Sequence, residues 1–561
     1  MSVRLALPHQ GADHRGDPPS ETPGRRESPL SVPTDARIAA LALTALWGLA
    51  APNAARSQMC YAGAERDGAI ASAYLPLGHP TYRYLDRLIA LGRLSGLDPM
   101  LQPYRRIDIA RAVQQALREP DRSQLESEWL SLVARELDRE VAAPRDTAAS
   151  RVAAHAQAGS WAVTHKHRDL LRPTGGESLF PFAEVGLTAE FPYVAAALRV
   201  RYDQWFLNDP QFPGGEVVEH HGGPADFDYA IRNEEGYLEL QLPHIRLMAG
   251  RLYRNWGPLD SGGLLISDYP YSYDQVGYWL GVDCLNVQGF IAQLDEFPNG
   301  VKRWLSAHRL YWRPRANLAL AVMEGVVYGG VDRGLDFRLA NPISVWLVAG
   351  YGRDFEEGSN SNNNLTQLSA WWRPFGGMVT HFSLLIDDFP GGGTPLMLAG
   401  SVGLRFPRIA PRLGLHLEYT QVGALTYRSA LPEQVYSMRN LGLGRDISDD
   451  DLLSARLDWS PHASLLLSPV VQLLRRGEGD LRDPWPDHVS EDGPILFIGE
   501  VETTLRLAAR GEWLPSRAVW VEWDVGPNFV WDAGHVEGAG RSHLVGRLWV
   551  SLGWNAWGVV R

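Results

Sequence analysis

The chain has 561 residues, 45% of them hydrophobic and 10% aromatic, with a formal net charge of -12 and only two cysteines. Two cysteines exclude a disulfide scaffold or a multi-cysteine zinc module, and an acidic balance speaks against nucleic acid as a partner, which needs a basic face. So much apolar and aromatic content is not that of a disordered chain.

Arg37 precedes an apolar run from Ile38 to Ala51. One positive charge followed by a short apolar run is the layout of a secretory signal peptide, and the run is shorter than the roughly 20 residues of a membrane-crossing helix. Ala55 and Ser57 are small residues two apart, which puts the signal at residues 37–57. The polar stretch before it, residues 1–36, is an odd prelude to an export signal, and the expectation is that translation starts later, near Val32. Cys60 and Cys284 would be free to pair in an oxidising compartment, but nothing in the sequence brings them together and they read as unpaired thiols.

Residues 70–145 have a helical period. Tyr82, Leu85, Leu88 and Ile89 recur at three- and four-residue spacing, as do Ile109, Val113 and Leu117, and Leu125, Trp129, Leu132, Val133 and Leu137. These predict a small bundle of three helices with solvated Arg- and Glu-rich faces.

From about residue 180 to the end the period becomes two. Val194, Ala196, Leu198, Val200 and Tyr202 alternate with Ala195, Ala197, Arg199, Arg201 and Asp203; similar runs cover 378–387 and 413–420. Tight breaks at 313–317, 373–377 and 460–463 alternate with long polar ones at 206–235, 352–364 and 424–451. Short turns on one side and long loops on the other are the asymmetry of an outer-membrane barrel, and aromatic clusters such as Trp371-Trp372 and Trp520 to Trp523 suit its girdles. At about 21 residues per strand and connection, the segment supplies about 18 strands. The predicted fold is mainly β: a transmembrane antiparallel β-barrel preceded by a small α-helical bundle on its periplasmic side. A soluble propeller should show an internal repeat of about 40–50 residues, and none is evident. Arg199, Arg201, His381, Asp387, His416, Glu418 and Thr420 fall opposite the aliphatic face and are expected inside. Their mixed signs predict paired charges and a plugged or narrow lumen.

Particular strings carry a resemblance. Residues 74–80, 82–92 and 102–106 resemble the helical N-terminal part of the capsule assembly protein Wzi family. Residues 250–258, with Arg254 and the Trp256-Gly257-Pro258 turn, followed by 264–267, look like that family's Trp-Gly-Pro segment. Residues 385–389 and 417–419 are similar to later strands. The resemblance implies a lectin-like, non-enzymatic barrel that holds or organises capsular or other surface polysaccharide at the cell exterior. Outer-membrane lipid and the barrel-insertion machinery are expected as further partners of such a barrel, no cofactor and no metal are expected, and a monomer is expected. Trp557 is followed by Gly558-Val559-Val560-Arg561, a departure from the aromatic last residue usual in such barrels.

Arg254, Trp256, Asp268 and Tyr271 are therefore candidates for sugar contact, with architectural packing as the alternative. Asp387 and Asp388 are neighbours, and neighbours on a strand face opposite ways. Asp387 with Glu418 would make a glycosidase pair only at about 5–10 Å separation; the reading preferred is a lumen salt-bridge network with Arg405 or Arg373. His416 is a further lumen candidate. Asp446, Asp449, Asp450 and Asp451 read as a solvated acidic loop rather than a calcium site, and Asn360 to Asn364 as a mobile loop. The alternatives to polysaccharide binding are a passive channel and, less favoured, a barrel enzyme acting on glycan or lipid.

Overall fold

The computed structural model describes residues 71–142, 150–209, 218–220, 229–297, 300–346, 362–388, 395–486 and 496–560. The polar stretch at 1–36, the signal at 37–57, Cys60, Asn360 and Ser361 lie outside the described residues.

Four helices come first: α1 Thr81–Ala90, α2 Arg106–Ala116, α3 Gln124–Glu136 and α4 Asp138–Ala142. The predicted apolar stripes are their buried faces. Ser123 and Glu126 form a reciprocal capping box that starts α3, and the non-helical backbone of Leu137 divides what the spacing had suggested was one helix.

The strands are β1 Ser150–Val163, β2 Ser178–Phe191, β3 Val194–Asp203, β4 Tyr229–Gln241, β5 Ile245–Leu252, β6 Tyr273–Val282, β7 Leu285–Gln293, β8 Val301–Arg315 and β9 Leu318–Val331. They continue with β10 Asn363–Phe375, β11 Met378–Asp388, β12 Met397–Ala410, β13 Leu413–Val422, β14 Asp450–His462, β15 Leu465–Arg476, β16 Glu502–Trp513, β17 Val519–Trp531 and β18 Gly540–Val560. Each pairs antiparallel with its neighbours, and β18 returns to β1 in register from Ser150↔Val560 to Val163↔Arg547. The result is a closed antiparallel barrel of 18 strands; the short segment Val218–His220 merely hangs on β4. Closure removes the unpaired edges that lipid would not tolerate.

The outer face is apolar. Leu179, Val185, Leu187, Leu238, Val276, Leu544 and Leu552 all stand exposed, and a belt this extensive is far larger than a soluble monomer carries. Trp459, Trp513 and Phe375 mark it at the short-turn rim and Trp531 at the opposite rim. No helix among the described residues is long and apolar enough to cross a membrane; crossing falls to the strands. The turns 316–317, 376–377 and 463–464 lie at one end; β3 and β9 finish, and the connection 423–449 lies, at the other.

The helices sit inside the short-turn end. Arg309 of β8 is bound to Asp98 at 2.6 Å, Arg405 of β12 to Asp86 at 2.7 Å, and Arg139 of α4 reaches Glu190 of β2 at 3.4 Å. Two connections fold inward to meet them. In residues 253–272, Asn255 exchanges backbone hydrogen bonds with Gln102 and its side chain accepts from Gly263 N–H at 2.7 Å. In residues 423–449, the Tyr427 hydroxyl donates to the Leu264 carbonyl at 2.6 Å. Gly257 and Gly263 let the first connection cross itself, since a Cβ on Gly257 would lie 2.6 Å from the Gly263 Cα. Helices and connections share one apolar core with Phe290, Ala292, Ala307, Ala319, Ala321, Leu365, Leu385 and Ala399 on the inner wall of β7–β12. Small residues there leave room for a plug.

Three expectations are corrected here. Cys284, in the β6–β7 turn, is disulfide-bonded, not a free thiol. The acidic loop is not solvated: Asp446, Asp449, Asp450 and Asp451 are all buried. Asp449 accepts the backbone N–H groups of Gly479 and Ile498, and Asp446 is bound by Arg482 at 2.6 Å, so counter-charges and donors replace water. Asn363 and Asn364 belong to β10 rather than a mobile loop; Asn363 donates to the carbonyl of Gln434 at 3.2 Å.

Candidate functional site

The plug rests against β7–β13 and leaves the other side of the lumen open. There the structure holds a cavity of about 1000 Å³ between the helices and the inner walls of β14, β16–β18 and β1–β3. The asymmetry is written in the strands. Where β7–β12 present mostly alanine and leucine inward, alongside plug-bound Arg309 and Arg405, β16–β18 and β1–β3 present Arg510, Glu512, Glu522, Asp524, Arg547, His155, Glu184, Arg199 and Arg201. Such charges are tolerated inside a barrel because they are paired. Arg199 bridges Glu184 at 3.3 Å and Glu235 at 3.0 Å, Arg201 binds Asp203 at 2.6 Å, and Arg83 of α1 holds both Glu512 and Glu522. The expected mixed, paired and plugged lumen is what the geometry shows.

An aromatic group sits among these ions. Trp161 meets Trp549 edge-on with centroids 4.1 Å apart, Phe182 stacks on Trp549 at 4.1 Å, and Trp520 lies 5.9 Å from Trp549. Gly159 permits the approach: a Cβ there would fall 2.7 Å from the Phe182 ring. The Arg201 guanidinium covers Phe182 at 4.3 Å. The indole N–H groups of Trp520 and Trp549 have no hydrogen-bond partner among the described residues. Flat rings beside planar ionic groups are the surfaces that polyhydroxylated ligands use.

The predicted residues fall in several places. Trp256 is fully buried in the plug core, edge-on to Phe290 at 5.5 Å, a packing position. Arg254 lies over the Phe290 ring at 4.9 Å and donates to Gln275. Tyr271 is held between Arg168 at 4.2 Å and Arg232 at 4.1 Å, and its hydroxyl donates to Asp209 at 2.9 Å. Asp268 alone of this set is exposed and lines the cavity. His416 and Glu418 point inward from β13, with His416 Nδ1 3.6 Å from Asp260 and Glu418 accepting from Ser401 at 3.4 Å. Asp388 ends β11 opposite Met397.

Asp387 is not in the expected ion network. Its carboxylate accepts the Tyr427 N–H at 2.6 Å, while Arg405 serves Asp86 and Asp260. Nor does it face Glu418. Glu418 aligns through Gly403 with His381, and Asp387 is six residues further along β11, about 20 Å at the rise of a strand. The glycosidase pair is thereby excluded.

Asp260, which no local pattern singled out, is the hub of the plug. It accepts from Arg405, from Arg456 at 2.7 Å, and faces His416. Burial opposes its charge, but Arg456 and Arg405 outweigh burial and hold the carboxyl well below the usual carboxylate range. Sequence reading also missed the row Arg510, Asp524 and Arg547 with Trp161 and Trp549. Its signal was present as alternation in Arg547-Leu548-Trp549-Val550-Ser551. Among the described residues no group of three or more His, Cys, Asp or Glu is arranged to hold a metal ion.

No family model and no curated protein matches the chain. Solved structures do. The Escherichia coli outer-membrane protein Wzi, described as involved in group 1 capsule assembly and as a carbohydrate-binding β-barrel, is 13% identical, with a TM-score of 0.53 over 87% of this chain and 99% of that one. Pseudomonas aeruginosa OccD3 is 10% identical, with a TM-score of 0.43 over 72% and 91%, and OprD of the same organism is 10% identical, at 0.41 over 73% and 96%. At these identities the likeness concerns fold: this chain is a β-barrel of the outer-membrane type.

Proposed function

We propose that the protein binds capsular or other surface polysaccharide, without catalysis, as a plugged monomeric barrel related to the Wzi family. In this reading the helices face the periplasm, the long connections face outward, lipid surrounds the apolar belt, and the insertion machinery reads the β18 end with Trp554 and Trp557. The observation that carries it is the filled lumen. Helices and two inward connections occupy the side against β7–β13, and the space that remains is a cavity of rings and paired ions rather than an open pore.

Deleting the gene tests it: polysaccharide is expected in the medium while its synthesis continues, and a capsule retained at normal levels would refute the reading. Reconstituted protein should show no steady large conductance in planar bilayers. A steady open pore would favour the passive channel instead.

A further inference from the structure

The cavity wall is not uniform. On β16–β17 and β2–β3 its ionic side chains are tied to one another; the strip formed by β18 and β1 carries no acidic side chain of its own, and its ties are His155 to Glu184 of β2 at 3.4 Å and Gln157 donating to Ser551 at 2.8 Å. The inner face of β18 reads Arg547, Trp549, Ser551, Gly553, Asn555 and Trp557, all lining the cavity. Opposite them β1 places Trp161 against Trp549, Gly159 against Ser551, Gln157 against Gly553 and His155 against Asn555. No carboxylate stands on either inner face. Ten residues of strand from Trp557 to Arg547 span about 33 Å.

The strip has an open end and a closed one. Trp557 is half-exposed at the short-turn rim. Beyond Arg547, Val545 and Asn528 are fully buried, and the Asn528 amide donates to the Leu170 carbonyl of the β1–β2 connection at 2.8 Å. Arg547 thus marks the deep end.

Charge is concentrated there. Arg510, Asp524 and Arg547 stand directly opposite one another on three neighbouring strands. Both oxygens of Asp524 are already taken, one by Arg506 and one by Arg510, each at 2.6 Å. The Arg547 guanidinium makes no ion pair or hydrogen bond among the described residues, resting 5.9 Å from the Trp161 ring. Three guanidinia share one carboxylate. The nearest other carboxylates in the rows, Glu512 and Glu522, lie one inward position nearer the mouth, held by Arg83.

We infer that the β18–β1 strip is a saccharide track entered from the short-turn end, and that Arg547 receives the carboxylate of an acidic sugar, a uronic acid, whose ring lies against the half-buried Trp161, with Trp549 packed behind it. The class of ligand rests on the polysaccharide-binding reading above; the acidic preference, the direction of entry and the terminal residue are additional. Arginine binds carboxylates through two parallel donors, and the half-buried Trp161 ring, 5.9 Å from the Arg547 guanidinium, lies within reach of the same pyranose.

The test uses the full-length protein in detergent, titrated calorimetrically with tetragalacturonate, with neutral maltotetraose and with the producing cell's own surface polysaccharide. Tetragalacturonate is expected to bind at least about tenfold more tightly than maltotetraose, as a charged hydrogen-bond pair provides. Arg547→Gln should abolish that preference and Arg547→Lys retain part of it, with both variants keeping the heat-modifiable migration of a folded barrel. Equal affinity for the two tetrasaccharides, or a preference untouched by Arg547→Gln, would overturn the track and leave the polysaccharide reading standing. Failure to bind all three titrants would overturn both.

Discussion

Asp260 is where the plug meets the wall, and its removal has a calculable cost. Asp260→Asn keeps the size and one acceptor but removes the charge facing Arg405 and Arg456. Breaking a buried ion pair by neutralising one partner costs about 3–5 kcal/mol, because it leaves a charge uncompensated. Here each arginine keeps a second carboxylate, Arg405 with Asp86 at 2.7 Å and Arg456 with Asp458 at 2.9 Å, so the expected loss is at the lower end, about 3 kcal/mol. The loss should be local. The barrel closes through strand pairing that does not involve residue 260, while residues 253–272 keep their ties to Gln102 and Leu443. The variant should migrate as a folded, heat-modifiable barrel, yet be cleaved within 257–263 by protease under conditions that spare the wild type, and show intermittent conductance events in bilayers. Wild-type protease resistance together with silent bilayers would refute the assignment of Asp260 as the plug's anchor.

Three further outcomes follow from named contacts. Trp256→Ala should destabilise the plug by about 3–5 kcal/mol, measured as a lower melting transition, because the ring is fully buried against Phe290; equal thermal stability would contradict its architectural role. Val185→Arg, near the centre of β2 on the outer face, should cost about 2–4 kcal/mol in a bilayer, read from urea titrations in lipid, whereas a water-facing position would show almost none. His79, on the segment leading into α1, has its pKa lowered to about 4 from 6.5 by burial, against the opposing pull of Glu136 at 3.5 Å. The fold therefore favours the neutral ring: its contribution is complete above pH 6.5 and is lost as pH falls toward 4, by at most about 3 kcal/mol. His79→Gln should flatten the stability profile between pH 6.5 and 4, and an unchanged slope would show that other groups set it.

The wall of this protein was legible in its residues because strand geometry is local. Side chains alternate every two positions, so Arg199, His381, His416 and Glu418 could be assigned to the lumen and Leu198 and Phe382 to lipid without knowing any partner strand. The turns after Arg315 and Phe375 announced themselves through Gly, Pro and Asn, and the helical stripes of Leu85 and Val113 through their spacing. What fills the barrel was another matter. Asp98 meets Arg309, Asp260 meets Arg456 and Tyr427 meets Leu264 across long stretches of sequence, and no periodicity records which charge will find which. The same holds for the acidic residues at 446–451, which look solvated in one dimension and are buried in three. Trp256 and Tyr271 have the composition of a sugar platform, and only the tertiary structure shows them packed against Phe290, Arg168 and Arg232. Local patterning determined which face each residue takes; the seating of the plug, and hence the side of the lumen left open, was decided by pairings that exist only once the barrel has closed.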